Sequence, residues 1–299
     1  MRTTKVGKRG VVFSFDDFST DTYICPTNVY VINCSEHIFI CDTFLGPDSM
    51  SGVKNYIEKH FGDKPIVIFN SHYDYDHHWG NCAFESKIIL SHKLCKEAIE
   101  KQGEDDLEKF KKWLRGDVKI VLPTVVFDQT YNFQDEGILF FHSPGHTADS
   151  SSCYDEWDKI LFVGDNIEEP IPYIRSNMDG VQKYVTSLEN YLKFDFDTLI
   201  VGHGSIAGKE LLQQNLDYLK NFPNLVAPID IEKNGKTFYK IHLQNLSTLA
   251  EELIIDGDFN GAISYNKEII DLGLKYNLFE KETKDRFEEK INEIKKKII

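Results

Sequence analysis

Four side chains that can bind a metal ion lie within six residues, directly after a predicted buried strand. The β-branched stretch 65–69 is typical of such a strand, and His72, Asp74, Asp76 and His77 follow it. In an extended chain, side chains at a spacing of two point the same way, so the first three can converge, and His77 can join them once the chain turns. Imidazole and carboxylate ligands suit Zn, Fe or Mn. The alternative, an acidic solvent-exposed loop with hydrogen-bonded histidines, rarely concentrates four such donors.

Three further donors follow predicted strands downstream, each beside glycine. His146 stands in Pro-Gly-His-Thr, Asp165 in Gly-Asp and His203 between two glycines. Glycine lets the backbone approach a site closely, and ligands of layered α/β proteins gather at strand ends. Each motif is weak evidence by itself, because a turn histidine is more often structural. Together with the first motif they give seven nitrogen and oxygen donors, enough for two metal ions, and a carboxylate between two cations is a natural bridge.

The order of predicted elements indicates the architecture that must position these donors. The chain begins β-rich, continues with βα units and then repeats this pattern, which predicts two sheets covered by helices in four layers. The predicted strands are 28–32, 38–41, 65–69, 87–90, 125–127, 131–133, 138–142, 159–163 and 198–201. The predicted helices begin near 48, 91, 104, 180 and 205, and the one at 104 ends at 115.

The composition changes after the prolines near 223, so we predict a main domain over 1–222 and a mostly helical extension over 223–299. About three helices are expected in 244–299, with breaks at Gly257 and Gly273. The small-residue and aromatic spacing there is typical of a helical repeat. A single unit of this kind cannot bury its own apolar face, so it should pack on the main domain or form a homodimer with a second copy.

Charge and cysteine content limit the partners and the compartment. The chain has 34 basic and 48 acidic residues and a formal net charge of −14, which argues against nucleic-acid partners. Its six cysteines form no C-x-x-C pair and are expected to be reduced thiols of an intracellular protein. The basic start lacks a signal-peptide core and no stretch is long enough to span a membrane. We therefore expect a cytoplasmic protein that acts on a small-molecule substrate, with no nucleic-acid or membrane partner.

The order of the motifs resembles the metallo-β-lactamase superfamily. H-x-D-x-D-H, then G-H-T, G-D and G-H, stand where that superfamily has its ligands, and the resemblance covers roughly residues 10–222. It implies an α+β fold, a four-layer αβ/βα sandwich, here with a C-terminal helical extension. It also implies two divalent metal ions, with Asp165 as the bridge. The implied ligands are His72, Asp74 and His146 for the first metal, and Asp76, His77 and His203 for the second.

Asp74 departs from the superfamily pattern, which usually has a second histidine at this position. A carboxylate there adds a negative charge and a hard oxygen ligand, which shifts the preference from Zn, the first choice, toward Fe or Mn. It resembles the diiron branch of the superfamily, which has Glu at this position. The alternative is that Asp74 is not a ligand and the first site is weak or empty.

The leading hypothesis is a dinuclear metal-dependent hydrolase. The resemblance implies a metal-bridging hydroxide that attacks a small ester, lactone or thioester-like substrate. Asp76 would orient the hydroxide, Asp165 would bridge the metals, and His78 would either protonate the leaving group or simply pack beside Trp79. Arg175 is expected either in the substrate cleft, where it could clamp a carboxylate, or exposed to solvent.

Two other functional classes compete with this one. The first is a non-haem diiron redox protein that binds or reduces O₂, motivated by Asp74, with electrons from a separate partner because 223–299 resembles no flavin domain. The second is a binding or scaffold protein with a closed structural metal site.

Asp42, at the end of a predicted strand, matches a superfamily position that orients a ligand rather than binding metal.

Overall fold

Two β-sheets form the centre of the protein, seen in a computed structural model that describes residues 1–20, 24–84, 88–225 and 231–298. The first sheet has seven strands in sequence order: β1 (Arg2–Val6), β2 (Gly10–Phe15), β3 (Thr27–Asn33), β4 (Ile38–Cys41), β5 (Ile66–Phe69), β6 (Ile88–His92) and β7 (Val125–Phe127). Neighbours from β1 to β4 are antiparallel, and those from β4 to β7 are parallel.

The second sheet has five strands in the order β12-β11-β10-β9-β8. They are β8 (Thr130–Phe133), β9 (Ile138–His142), β10 (Ser151–Asp155), β11 (Ile160–Phe162) and β12 (Thr198–Ile200). Only β11 and β12 are parallel neighbours, so their carboxyl ends lie side by side. This places the residues after Phe162 and Ile200 at one edge of the sheet.

Helices cover the outer face of each sheet. The helices in the described residues are α1 (Pro47–His60), α2 (Tyr75–His78), α3 (Lys93–Lys109), α4 (Met178–Tyr191), α5 (Lys209–Asn221), α6 (Ile231–Ile255), α7 (Phe259–Lys275) and α8 (Lys281–Lys296). Side chains of α1 and α3 share a core with the first sheet, and those of α4, α5 and α6 share one with the second. A third core lies between the sheets, where Phe39 and Phe69 meet Phe140. The predicted four-layer αβ/βα sandwich with a helical extension is confirmed.

Several predicted elements differ from the structure. The separate helix expected over 104–115 is wrong, because α3 runs without interruption from Lys93 to Lys109 and a short 3₁₀ turn follows. The strands β1 and β10 were not predicted, because neither has a strong hydrophobic pattern. The residues of β1 are mostly polar and exposed, and β10 has the sequence Ser-Ser-Cys-Tyr-Asp although it is fully buried. Of the strand expected over 87–90, residue 87 lies outside the described residues, and β6 begins at Ile88.

The C-terminal region holds three long helices. Gly257, with φ +82°, separates α6 from α7, and the side chain of Asp258 caps α7 by accepting a hydrogen bond from the backbone of Gly261. The break expected at Gly273 is wrong: α7 continues through it to Lys275, and the Phe279 ring fills the space beside it. The domain boundary at 222/223 and the homodimer remain predictions. In the described part of the chain, no helix is long and apolar enough to cross a membrane.

Candidate metal centre

The first four candidate ligands lie on the turn after β5 and on the short helix α2. His72 and Asp74 precede the helix, and Asp74 has extended backbone angles (φ −62°, ψ 139°) at its N-cap. Asp76 and His77 lie within α2. The extended conformation predicted for residues up to Asp76 is therefore wrong, and a helical turn brings Asp76 and His77 to the site instead.

The other three candidates follow strands of the second sheet: His146 comes after β9, Asp165 after β11 and His203 after β12. The two sheets are joined at this edge, because the backbone N–H of Asn28 donates to the carbonyl of Gly202 at 2.8 Å. Each sheet therefore brings its own donors to one point between them.

All seven predicted metal ligands lie close together. Three overlapping sets of donor atoms each fit within 4.8 Å: His72, Asp74 and His146; His72, His77 and Asp165; and Asp76, His77 and His203. Asp165 is central to the cluster. Its Oδ2 atom lies 3.6, 3.4, 3.8 and 3.5 Å from the Nε2 atoms of His72, His77, His146 and His203. The Asp165 carboxylate therefore lies between the histidines of all three donor sets.

The distances fit metal coordination. Two ligands at about 2.1 Å from a tetrahedral ion lie about 3.4 Å apart. The Nε2 atom of His203 lies 3.1 Å from Oδ2 of Asp76, and that of His72 lies 3.3 Å from Oδ2 of Asp74. Among the described residues, the buried Nε2 atoms of His72 and His77 and Oδ1 of Asp165 have no hydrogen-bond partner. Buried polar atoms are rarely left without a partner, so the donor set fits divalent metal ions.

The Nδ1 atoms of the four imidazoles face oxygen atoms on the side away from the centre. Three of these nitrogen atoms form hydrogen bonds, with Ser71 Oγ for His72 (3.0 Å), Asp42 Oδ2 for His77 (2.7 Å) and Thr27 Oγ1 for His203 (3.1 Å). The fourth, of His146, lies 3.3 Å from Glu168 Oε1 without forming a hydrogen bond to it. The Ser71 hydroxyl donates to Asp42, so it accepts from His72. A proton on Nδ1 leaves the Nε2 lone pair free for a metal, as in known metal sites.

Two glycines allow the close approach of the second-sheet loops. A Cβ atom on Gly202 would collide with the Asp165 carboxylate, and one on Gly164, which has φ +53°, would collide with Ser71. These are the glycines that the sequence places beside Asp165 and His203, and their role is spatial.

The imidazoles also set the ionisation state of the central carboxyl groups. Burial favours the protonated form of Asp165, but the imidazoles of His203 and His77 outweigh it and hold the pKa of Asp165 well below its usual range. Burial is opposed in the same way at Asp74, where His146 and His72 lower the pKa of the carboxyl group. Both groups are therefore anionic at neutral pH, as metal ligands must be.

The side chain of His78, one of the predicted proton donors, lies in the protein interior rather than at the cavity. Its side chain is buried, and burial together with the charge of His77 lowers the pKa of His78 to about 4. It is not among the described residues that line the cavity beside the cluster. The geometry favours the alternative interpretation, in which His78 packs in the interior.

A cavity of about 390 Å³ opens onto the candidate metal ligands. Arg175 lines it, which is one of the two placements expected from the sequence, and so do Gln244 and Thr248 of α6. No sequence pattern indicated these α6 residues, nor Glu168 and Thr27, because each reaches the site only through the tertiary fold. The helical extension thus forms one wall of the candidate active site.

The αβ/βα sandwich and its converging imidazoles and carboxylates define a class of metal-binding proteins. The family model described as Metallo-beta-lactamase superfamily matches residues 22–203, and the chain belongs to this superfamily. No curated protein matches the chain in a sequence search.

Solved structures of metallo-β-lactamases share the fold. That of a metallo-beta-lactamase from Pontibacter korlensis has a TM-score of 0.58 and 18% sequence identity, and the match covers 74% of this chain and 99% of that one. A metallo beta-lactamase from Hirschia baltica gives a TM-score of 0.56 and 19% identity, covering 73% of this chain and 96% of the other. At these identities the likeness concerns the fold alone.

Proposed function

We propose that the protein is a dinuclear metal-dependent hydrolase acting on a small ester, lactone or thioester-like substrate. The position of Asp165 carries this proposal, because its Oδ2 atom lies within 3.8 Å of the Nε2 atoms of all four candidate histidine ligands. A carboxylate in this position can serve two ions at once. The proposed ions are Zn, with Fe or Mn as alternatives because Asp74 supplies a carboxylate to the first site.

His72, Asp74 and His146 would hold the first ion, and Asp76, His77 and His203 the second. When bound, such ions lower the pKa of water and stabilise the negative charge that develops on the substrate. Asp76 lines the cavity and would orient the attacking water. The cavity reaches the donors from one side, which supports an open catalytic site rather than a closed structural one.

Replacing Asp165 by Ala tests this function. Loss of the shared ligand should remove at least one ion and nearly all turnover. Elemental analysis of protein purified without added metal would be combined with hydrolysis of p-nitrophenyl acetate, an acyl-homoserine lactone and acetylthiocholine. Asp195→Ala is the matched control, because Asp195 is exposed and pairs with Lys159 on the surface. An Asp165→Ala protein that keeps two ions and full turnover would contradict the proposal.

The carboxylate of Asp74 favours one second candidate, a non-haem diiron protein that binds or reduces O₂ with electrons from a separate partner. Metal analysis and an optical spectrum recorded under O₂ distinguish the two. A coloured diiron protein without esterase activity would support the redox function, and a colourless dizinc protein that cleaves esters would exclude it.

A further inference from the structure

The first metal group is the donor set of His72, Asp74 and His146. The Arg175 guanidinium contacts two of its three donor atoms. Its Nη1 atom donates a hydrogen bond to Oδ2 of Asp74, and it lies 3.2 Å from Nε2 of His146. The same Asp74 oxygen lies 3.3 Å from Nε2 of His72 and 3.4 Å from Nε2 of His146. The cation therefore sits on the donor atoms that the first metal ion requires.

The guanidinium and a metal ion cannot occupy this space together. The Nε2 atom of His146 lies 3.4 Å from Oδ2 of Asp74 and 3.2 Å from Nη1 of Arg175. An ion bound by both Asp74 and His146 would lie between these two donor atoms, so it would have to displace the guanidinium. The positive charge of the guanidinium also repels a divalent cation at this distance.

The backbone next to Arg175 is held in place, so the guanidinium can leave Asp74 only by a rotation of the side chain that also breaks the 3.1 Å hydrogen bond from its Nη2 atom to the Tyr73 hydroxyl. The backbone N–H of Ile174 donates to Oδ1 of Asn245 on α6 at 2.9 Å, and Nδ2 of the same amide donates to the carbonyl of Pro172 at 2.9 Å. The Arg175 side chain keeps 39% of its surface exposed and lines the 390 Å³ cavity. The cavity therefore offers room for the guanidinium once it leaves Asp74.

In the second metal group, which is the donor set of Asp76, His77 and His203, no described cationic side chain contacts the donor atoms in this way. The Nδ1 atoms of His77 and His203 face Asp42 and Thr27, which leaves both Nε2 atoms facing Asp165. Within the described residues, the ion pairs of Asp76 involve only these two histidines, with no arginine or lysine.

We propose that the Arg175 side chain weakens metal binding at the first metal group, because it competes with the incoming ion for Asp74 and His146. Metal uptake is then stepwise: the second group fills first, and the first group fills only when the Arg175 side chain turns into the cavity. This inference rests on the proposed dinuclear site. It also gives Asp74 a physical role, since the added negative charge is balanced by Arg175 until a cation replaces it.

Calorimetric titration of chelator-treated protein with Zn²⁺ and, separately, Mn²⁺ tests the inference without any substrate. Wild type should bind one ion tightly and a second at least tenfold more weakly. Arg175→Met keeps the length of the side chain but removes its charge, and it should tighten the weaker step at least tenfold while leaving the tighter step within twofold. Asp74→Asn should abolish the weaker step, which assigns that step to the first group.

Arg286→Met serves as the control, because Arg286 lies on α8 against Phe287 and its removal changes the net charge equally. Arg175→Gln repeats the measurement should the methionine variant misfold, as judged by its thermal transition. Equal affinities in wild type, or an Arg175 variant whose weaker step is unchanged or weakened, would overturn the inference and leave the proposed hydrolase function standing. Failure of wild type to bind any ion would overturn both.

Discussion

The Nδ1 atom of His77 donates a hydrogen bond to Oδ2 of Asp42 at 2.7 Å. The same carboxylate accepts hydrogen bonds from the backbone N–H and the hydroxyl of Ser71, both at 2.7 Å. Through Ser71 it also orients His72. Asp42, with φ 62° at the end of β4, thus fixes one imidazole from each metal group.

Asp42→Asn should lower the affinity for metal ions. The amide can accept only on one side, so the tautomer of His77 is no longer fixed, and loss of such a partner typically costs 10–100-fold in metal affinity. Competition with a chromogenic chelator would measure this loss. Asp48→Asn is the control at a position on α1 outside the metal groups, and unchanged affinity in Asp42→Asn would show that Asp42 does not orient the ligand.

Stability should fall in acid partly because of His242 on α6. Its side chain is fully buried, Nδ1 lies 2.9 Å from the Tyr218 hydroxyl, and burial lowers the pKa of His242 from its ordinary 6.5 to about 4. The folded protein binds this proton less readily than the unfolded chain, so the stabilisation is present above pH 6.5 and is lost as the pH falls from 6.5 toward 4. A shift of this size corresponds to about 3 kcal/mol.

Urea unfolding of wild type and His242→Gln between pH 4 and 8 measures that contribution. The glutamine variant should show a shallower loss of stability below pH 6.5, because it cannot take up this proton. Other groups titrate equally in both proteins, so the difference in slope isolates His242. Identical slopes would contradict the assignment.

Removal of the Asn245 side chain should destabilise the protein by about 2–4 kcal/mol, because buried backbone groups of Ile174 and Pro172 would lose their partners. Urea unfolding gives the magnitude. Asn221→Ala, which removes a hydrogen bond on the exposed face of α5, should stay within about 0.5 kcal/mol of wild type. A loss at Asn245→Ala no greater than at this control would mean that α6 does not anchor the segment beside Arg175.

The sequence predicted many of the elements whose hydrophobic pattern is strong, although β2, a buried hydrophobic strand, was not predicted. The buried strands β3, β4 and β5 are short β-branched or aromatic runs, and their positions agree closely with those expected. The strand β10 was missed because its serines are buried through hydrogen bonds, such as that between Ser152 Oγ and the Tyr191 hydroxyl at 2.7 Å. Burial of polar side chains depends on partners that are distant in sequence, and no local pattern reports them.

The candidate ligands could be predicted because four of them follow one predicted strand within six residues and the other three stand in glycine-flanked motifs at strand ends. Their supporting residues could not. Glu168 faces His146 from a loop 22 positions away in the printed sequence, and Gln244 arrives with a helix from the C-terminal region. Arg175 was expected either in the cleft or in solvent, and it comes into contact with Asp74 only through the tertiary fold.

Among the described residues, none of the three candidate donor sets is complete within one sheet. Each of the three donor sets takes two side chains from the turn after β5 and α2, and one from the loops of the second sheet. Correct docking of the two halves of the sandwich is therefore required for binding an ion. A bound ion would in turn cross-link the two halves and stabilise their association. Metal occupancy in this protein should report on whether its halves have assembled, independently of whatever substrate it turns over.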